Sequence, residues 1–239
     1  MNIKTIGIIG NGAFGQLMQR HLSAHFNVLV YDRNGNGDSL QNVCKSDVVI
    51  FAIPVQALEE SCKEVSKLVG KESIIMDVTS VKVRPIEILQ RYFPDNQILG
   101  THPIFGPQTE EKLGGISGLP IVVTNISLEG GMYKQVVGFL QDKPELKVIE
   151  KTADEHDKEM ALVQGLSHFI GRALRHMNIE YLETGTHSYN QLVELKELLQ
   201  NDSWELFETI QNNNPHICNI RQDFIRELQN LEDRLGNIC

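Results

Sequence analysis

A short apolar run, Thr5–Ile9, leads directly into Gly10-Asn11-Gly12-Ala13-Phe14-Gly15, and the helical pattern Phe14–Ala24 takes over from there. Three glycines at this spacing between a strand and a helix leave the chain few options. Gly10 permits the tight turn, Gly12 lets backbone come up against a phosphate, and Gly15 lets the helix pack closely on the strand. The N–H groups of the helix's first turn, from Ala13 and Phe14 onward, have no partner inside the helix and carry the positive end of its dipole. They are suited to an anion. The next apolar run, Asn27–Tyr31, ends at Asp32. A carboxylate there binds a ribose diol and repels a 2′-phosphate, which favours NAD. Arg33, beside it, is the residue that would take the 2′-phosphate if NADP were used instead.

Further runs rich in Ile and Val follow at Asp47–Ile53, Ser73–Val78, Gln97–Gly100, Pro120–Thr124 and Lys147–Ile149. Helical patterns lie between them, as at Val55–Leu68 and Arg84–Phe93. Nearly continuous β-branched runs suit strands covered on both faces, and the alternation with helices predicts a doubly wound parallel sheet of the Rossmann type over residues 1–150. Beyond that point the strand patterns stop. Ala153–Met177 reads as one long helix, and helical stretches follow at Glu180–Gln200, Ser203–Asn212 and Pro215–Leu235. Residues 151–239 are therefore expected to form a small all-helical domain. In its last helix Ile220, Phe224, Leu228, Leu231 and Leu235 make one apolar stripe. So short a segment builds a thin core, which predicts that the C-terminal helices pack against a second copy in a homodimer.

The formal net charge of -9 argues against nucleic acid or an anionic membrane as partner. No apolar run approaches the roughly 20 residues that cross a bilayer, and the N-terminus shows no signal-peptide pattern. Cys44, Cys62, Cys218 and Cys239 are scattered, without metal-ligand spacing, and read as reduced thiols of a cytoplasmic protein that binds no metal.

Two strands end in polar clusters, Asp77-Val78-Thr79-Ser80-Val81-Lys82 and Thr101-His102-Pro103-Ile104-Phe105-Gly106-Pro107, and a third ends at Pro54. Ligands of open α/β sheets bind outside the carboxyl ends of the strands, where the glycine loop and Asp32 also fall. On the long helix His156, Met160, Gln164 and His168 recur every four residues, and Arg172 continues that face.

The segments DVTSVK, GTHPIFGP and HDKEMALVQGLSHFIGRAL resemble prephenate and arogenate dehydrogenases. The resemblance implies a dinucleotide-binding domain, a helical dimerisation domain and an active site in the cleft between them. It implies NAD-dependent oxidative decarboxylation of prephenate to 4-hydroxyphenylpyruvate. His102 is then the base, and Ser80 hydrogen-bonds the same hydroxyl or orients the imidazole. Lys82 holds its loop or supplies positive charge. His168 lies near the substrate side chain, with Gln164 beside it, and Arg172 pairs with a carboxylate. His156-Asp157 is assigned to the first turn of the helix, with Asp157 favouring the dipole.

The chain departs from many prephenate-using members at Glu208-Thr209-Ile210-Gln211, where no arginine stands ahead of Asn214-Pro215. Asp202–Phe207 looks more like the arogenate branch, so conversion of arogenate to tyrosine is the alternative. Neither a fused mutase segment nor a regulatory βαββαβ domain is expected. Two further readings are a hydroxyacid or imine reductase of similar build, and a dinucleotide-binding regulatory protein without turnover.

Overall fold

The computed structural model describes residues 3–35, 37–200 and 202–236, so Cys239 lies outside the described residues. The chain divides into two compact units, the first ending at His156 and the second starting at Asp157.

The first unit alternates strand and helix. In chain order these are β1 (Thr5–Ile9), α1 (Ala13–Leu22), β2 (Asn27–Tyr31), the single turn α2 (Leu40–Val43), β3 (Val48–Phe51), α3 (Val55–Val65), β4 (Ile74–Asp77) and α4 (Val83–Tyr92). Then come β5 (Ile98–Pro103), α5 (Pro107–Leu113), β6 (Pro120–Asn125), α6 (Gly130–Asp142) and β7 (Lys147–Glu150). The strands form one sheet in the order β2-β1-β3-β4-β5-β6-β7. Side chains alternate across the pleat. Ile6, Ile8, Val48, Ile50 and Met76 thus face α1 and α6, while Ile9, Val49, Phe51 and Ile75 face Leu58, Cys62 and Val65 of α3 and Ile88 and Leu89 of α4. Both faces are covered, which is why the strands read as unbroken apolar runs.

Two details differ from the sequence expectation. The sheet is not wholly parallel: β6 runs antiparallel to β5, with His102 opposite Val122. The link between them contains only α5, ~10 Å long at 1.5 Å per residue. It is too short to return the chain to the far end of the sheet. Also, β5 runs on to Pro103, so His102 stands within the strand's last turn of pleat and not in the loop after it.

The second unit is helical. The long helix is not uniform. It consists of α7 (Ala153–Met160), within which the chain divides, a π turn at Ala161–Leu166, and α8 (Ser167–His176). Three helices follow, α9 (His187–Leu198), α10 (Trp204–Asn213) and α11 (Ile217–Leu235). The i→i+5 pattern of a π turn leaves backbone carbonyls to be satisfied from outside. Gln211 Nε2 donates to the Gly165 carbonyl at 2.7 Å, and Arg221 Nη1 donates to Gln211 Oε1 at 3.0 Å. A Cβ on Gly165 would stand 2.2 Å from Ile217 Cδ1, so a larger residue there would displace the buried Ile217 side chain. Among the described residues, no helix is long and apolar enough to cross a membrane.

Candidate active site

The glycine loop separates the work of its three glycines by what a side chain would meet. Gly10 has φ +110°, and a Cβ on it would stand 2.4 Å from the Ala52 carbonyl oxygen, in the loop before Pro54. A Cβ on Gly15 would stand 2.1 Å from the Gly10 carbonyl oxygen. At Gly12 it would meet nothing within 4 Å. Gly10 and Gly15 therefore hold the turn against β3 and α1, and Gly12 leaves an open backbone face at the N-terminus of α1. Gly12 is also the N-cap of α1 and gives it no side-chain cap, so the Ala13 and Phe14 N–H groups border this open face. These are the requirements for a bound pyrophosphate.

Asp32 is tied to that loop. Its carboxylate accepts the Asn34 N–H at 2.8 Å and the Asn11 N–H at 3.2 Å. These two bonds lower its pKa and hold it ionised at the surface. Arg33 is exposed. Pro54 ends the β3 loop and caps α3. The residues present fit a dinucleotide: an open cradle for phosphates and a fixed carboxylate for a ribose diol.

At the ends of β4 and β5 the polar residues are buried. Lys82, fully buried, donates to the equally buried Asp77 carboxylate and to Thr79 Oγ1, the latter at 3.2 Å. Thr79 Oγ1 in turn lies 2.5 Å from Asp77, and Thr101 Oγ1 donates to the Asp77 carbonyl at 2.8 Å. Lys82 is thus an internal clamp on the Asp77–Lys82 loop. Its ammonium is buried and paired, which suits the expectation that it holds the loop. Ser80, half-buried, sits on the loop so fixed.

His102 is buried, at 5% exposure, and its Nδ1 lies 2.8 Å from Nε2 of His156, which is fully buried. Burial, then His156, then the Lys82 ammonium hold the His102 pKa well below the usual histidine range. The imidazole is accordingly neutral near pH 7, with Nε2 left for a ligand. His156, in the first turn of α7 as the sequence reading has it, is the side chain that contacts His102. The pairing spans 54 residues, so no local spacing announces it. An apolar cavity of about 280 Å3 lies on the α1/α6 side of the sheet and reaches Phe14, Thr101 and Phe105. Its lining is too poor in polar groups to be the site of this chemistry.

The second unit holds a cluster of its own. His168 Nδ1 lies 3.5 Å from Asp202 Oδ2. Burial and then Arg172 lower the His168 pKa to about 4, so the contact joins a neutral imidazole to the carboxylate. Burial raises the Asp202 pKa against the opposing pull of Arg172. The Arg172 guanidinium lies 5.4 Å from the Trp204 ring centroid and 5.1 Å from that of Phe207, and it donates to the Asp202 carbonyl at 3.3 Å. Part of its donor set is thus engaged by its own unit. Gln164 stands in the π turn, with a buried Oε1 that has no partner among the described residues.

Residues 19–117 match the family model described as prephenate dehydrogenase, nucleotide-binding domain. The chain is 28% identical over 257 aligned residues to a probable arogenate/prephenate dehydrogenase of Methanocaldococcus jannaschii, covering 98% of this chain and 57% of that protein. It is 27% identical to the chloroplastic arogenate dehydrogenase 2 of Arabidopsis thaliana, covering 88% of this chain and 64% of that one. The chain therefore spans about six-tenths of the length of these relatives. In fold it is similar to the prephenate dehydrogenase of A. aeolicus, solved with hydroxyphenyl propionate and NAD+. The TM-score is 0.76 at 17% identity, over 98% of this chain and 91% of that one.

Proposed function

We propose that this chain, whose nucleotide-binding part belongs to the prephenate dehydrogenase family, oxidises and decarboxylates prephenate to 4-hydroxyphenylpyruvate with NAD. The observation that carries the reading is the neutral, buried imidazole of His102 at the carboxyl end of β5, in the same unit as the dinucleotide cradle. Prephenate is a cyclohexadienol with a ring carboxylate and a pyruvyl side chain. His102 Nε2 takes the proton of the ring hydroxyl as hydride leaves the same carbon, and loss of the carboxylate as carbon dioxide makes the ring aromatic. NAD supplies the hydride acceptor. Gly12 and the N-terminus of α1 hold its phosphates and Asp32 its adenosine ribose. Ser80 hydrogen-bonds the reacting hydroxyl.

On the helical unit we assign His168, Gln164 and Arg172 to the substrate side chain. A second reading, arogenate as substrate, is favoured by the acceptors there. The unpartnered Gln164 Oε1 and the Asp202 carboxylate suit an ammonium better than a keto group. Thr209 and Gln211 stand where many prephenate-using relatives carry an arginine, and Gln211 is committed to the π turn. The exposed Leu228, Leu231 and Leu235 of α11 support a homodimer through the C-terminal helices, and the buried free thiols Cys44 and Cys62 suit the cytoplasm.

The test is NADH or NADPH formation by the purified protein, with prephenate and arogenate crossed against NAD and NADP. Turnover of prephenate with NAD is the expected outcome, and turnover of arogenate alone selects the second reading. Silence in all four, with NAD still raising the melting temperature, would overturn both in favour of another reductase or a non-catalytic protein.

A further inference from the structure

Between two imidazoles in their neutral forms, the contact of Nδ1 of His102 with Nε2 of His156 holds one proton. If the proton sits on His156, His102 accepts at Nδ1, carries its own hydrogen on Nε2 and has no lone pair to offer there. If it sits on His102, Nε2 is left as a base. The hydrogen bond therefore sets the tautomer of the catalytic imidazole.

We propose that His156 is the positioning residue for His102: its Nε2 accepts the Nδ1 hydrogen and thereby presents the unprotonated Nε2 of His102 to the substrate. This rests on the dehydrogenase reading above and adds to it a residue that neither the motifs nor the comparisons assign. Geometry supports it. The rings meet edge-on at 73°, with centroids 5.1 Å apart, so their contact is a directed hydrogen bond and not a stack. Both rings are shielded from water, so the contact between them is a buried one. The ledge from which His156 reaches is fixed as well. Thr152 and Glu155 form a reciprocal cap, with Thr152 N–H donating to Glu155 Oε2 at 2.9 Å and Glu155 N–H to Thr152 Oγ1 at 3.3 Å, and the His156 N–H bonds the Thr152 carbonyl at 3.0 Å. A charged group acting on His102 is the Lys82 ammonium, held by Asp77. Its field opposes an imidazolium at His102.

The experiment compares the full chain with H156F and H156Q. Phenylalanine keeps the volume and removes the acceptor, whereas glutamine places an amide oxygen where Nε2 was. In H156F, kcat falls at least ~10-fold with KM little changed, and the acid limb of kcat/KM moves to higher pH as a neighbouring imidazole is lost. H156Q regains most of that turnover. Imidazole nitrogen NMR shifts of wild-type His102 show the Nδ1–H form and do not depend on turnover. An inactive wild type thus sinks the dehydrogenase reading while the tautomer is still tested. Wild-type kcat and pH profile in H156F, an H156Q enzyme as slow as a folded H156F, or an Nε2–H tautomer in wild-type His102 would each overturn the proposal. If H156F fails to fold, H156Q and the wild-type tautomer decide.

Discussion

The two units bury their apolar residues very differently. In the sheet unit, Ile, Val and Leu from every inner strand lie fully inside, and Leu68 and Leu113 are the large apolar side chains left exposed among the described residues. In the helical unit, Met160, Ala161, Val193, Ile210 and Ile217 are the buried hydrophobics, against exposed Leu162, Val163, Met177, Leu182, Leu192, Leu198, Trp204, Leu228, Leu231 and Leu235. A sheet covered on both faces closes its own core. A few helices presenting single stripes do not, and apolar surface of this extent marks an interface. The first unit thus closes its own core, and the second leaves much of its apolar surface exposed.

The largest expected effect tests where the base lies. H102N lowers kcat ~10²–10⁴-fold and leaves NAD affinity nearly unchanged, whereas H168N acts mainly on KM. A deep kcat loss in H168N with near-normal H102N turnover would move the base to the helical unit. Next comes the rigidity of the first unit. K82M strands the buried Asp77 carboxylate and costs about 3–5 kcal/mol of unfolding free energy, readable in urea titration. A loss below ~1 kcal/mol would mean that the clamp is dispensable.

The third prediction concerns pH. His168 has a folded pKa of about 4 against an ordinary 6.5, so the unfolded chain binds its proton first. Stability is full above pH 6.5 and falls as pH drops toward 4, by about 3 kcal/mol in all. His102, also depressed, acts with the same sign. The raised Asp202 pKa works in the opposite sense across the carboxylate range. Urea titrations between pH 7 and 5 should show the decline, and H168N should make it shallower while leaving the His102 share; a flat wild-type curve would mean that neither imidazole is buried neutral. The smallest effect on the single chain is that of L228D with L231D. If the proposed homodimer forms through α11, the double variant should leave the sheet unit's unfolding intact and halve the mass in light scattering, whereas an unchanged mass would count against that dimer.

The parts legible in sequence were those encoded by neighbours. Thr5–Ile9 and Asn27–Tyr31 are read correctly because continuous Ile and Val leave no helical stripe, and the glycine loop because its spacing is local. The reversed β6 was not legible, since strand direction depends on the length of the link through α5. Helix α6 was hidden by Gly130, Gly131 and Gly138, which lower its propensity. In the candidate site, Ser80, His102 and Asp32 follow from strand ends. The burial of Lys82 and the partner of His102 do not, because each depends on contacts that folding brings together from separate segments.

The π turn makes the helical unit depend on a count of one. Were the six residues Ala161–Leu166 to take ordinary α geometry with none removed, everything beyond them would advance by about 100° around the axis, the turn of one residue. His168, Arg172 and Gly171, which is pressed against Leu199, would all turn away from their present neighbours together. Aiming of that cluster is therefore set like the index mark on a dial, by one extra click in the helix, and a substitution in the π turn can shift it without touching the cluster itself.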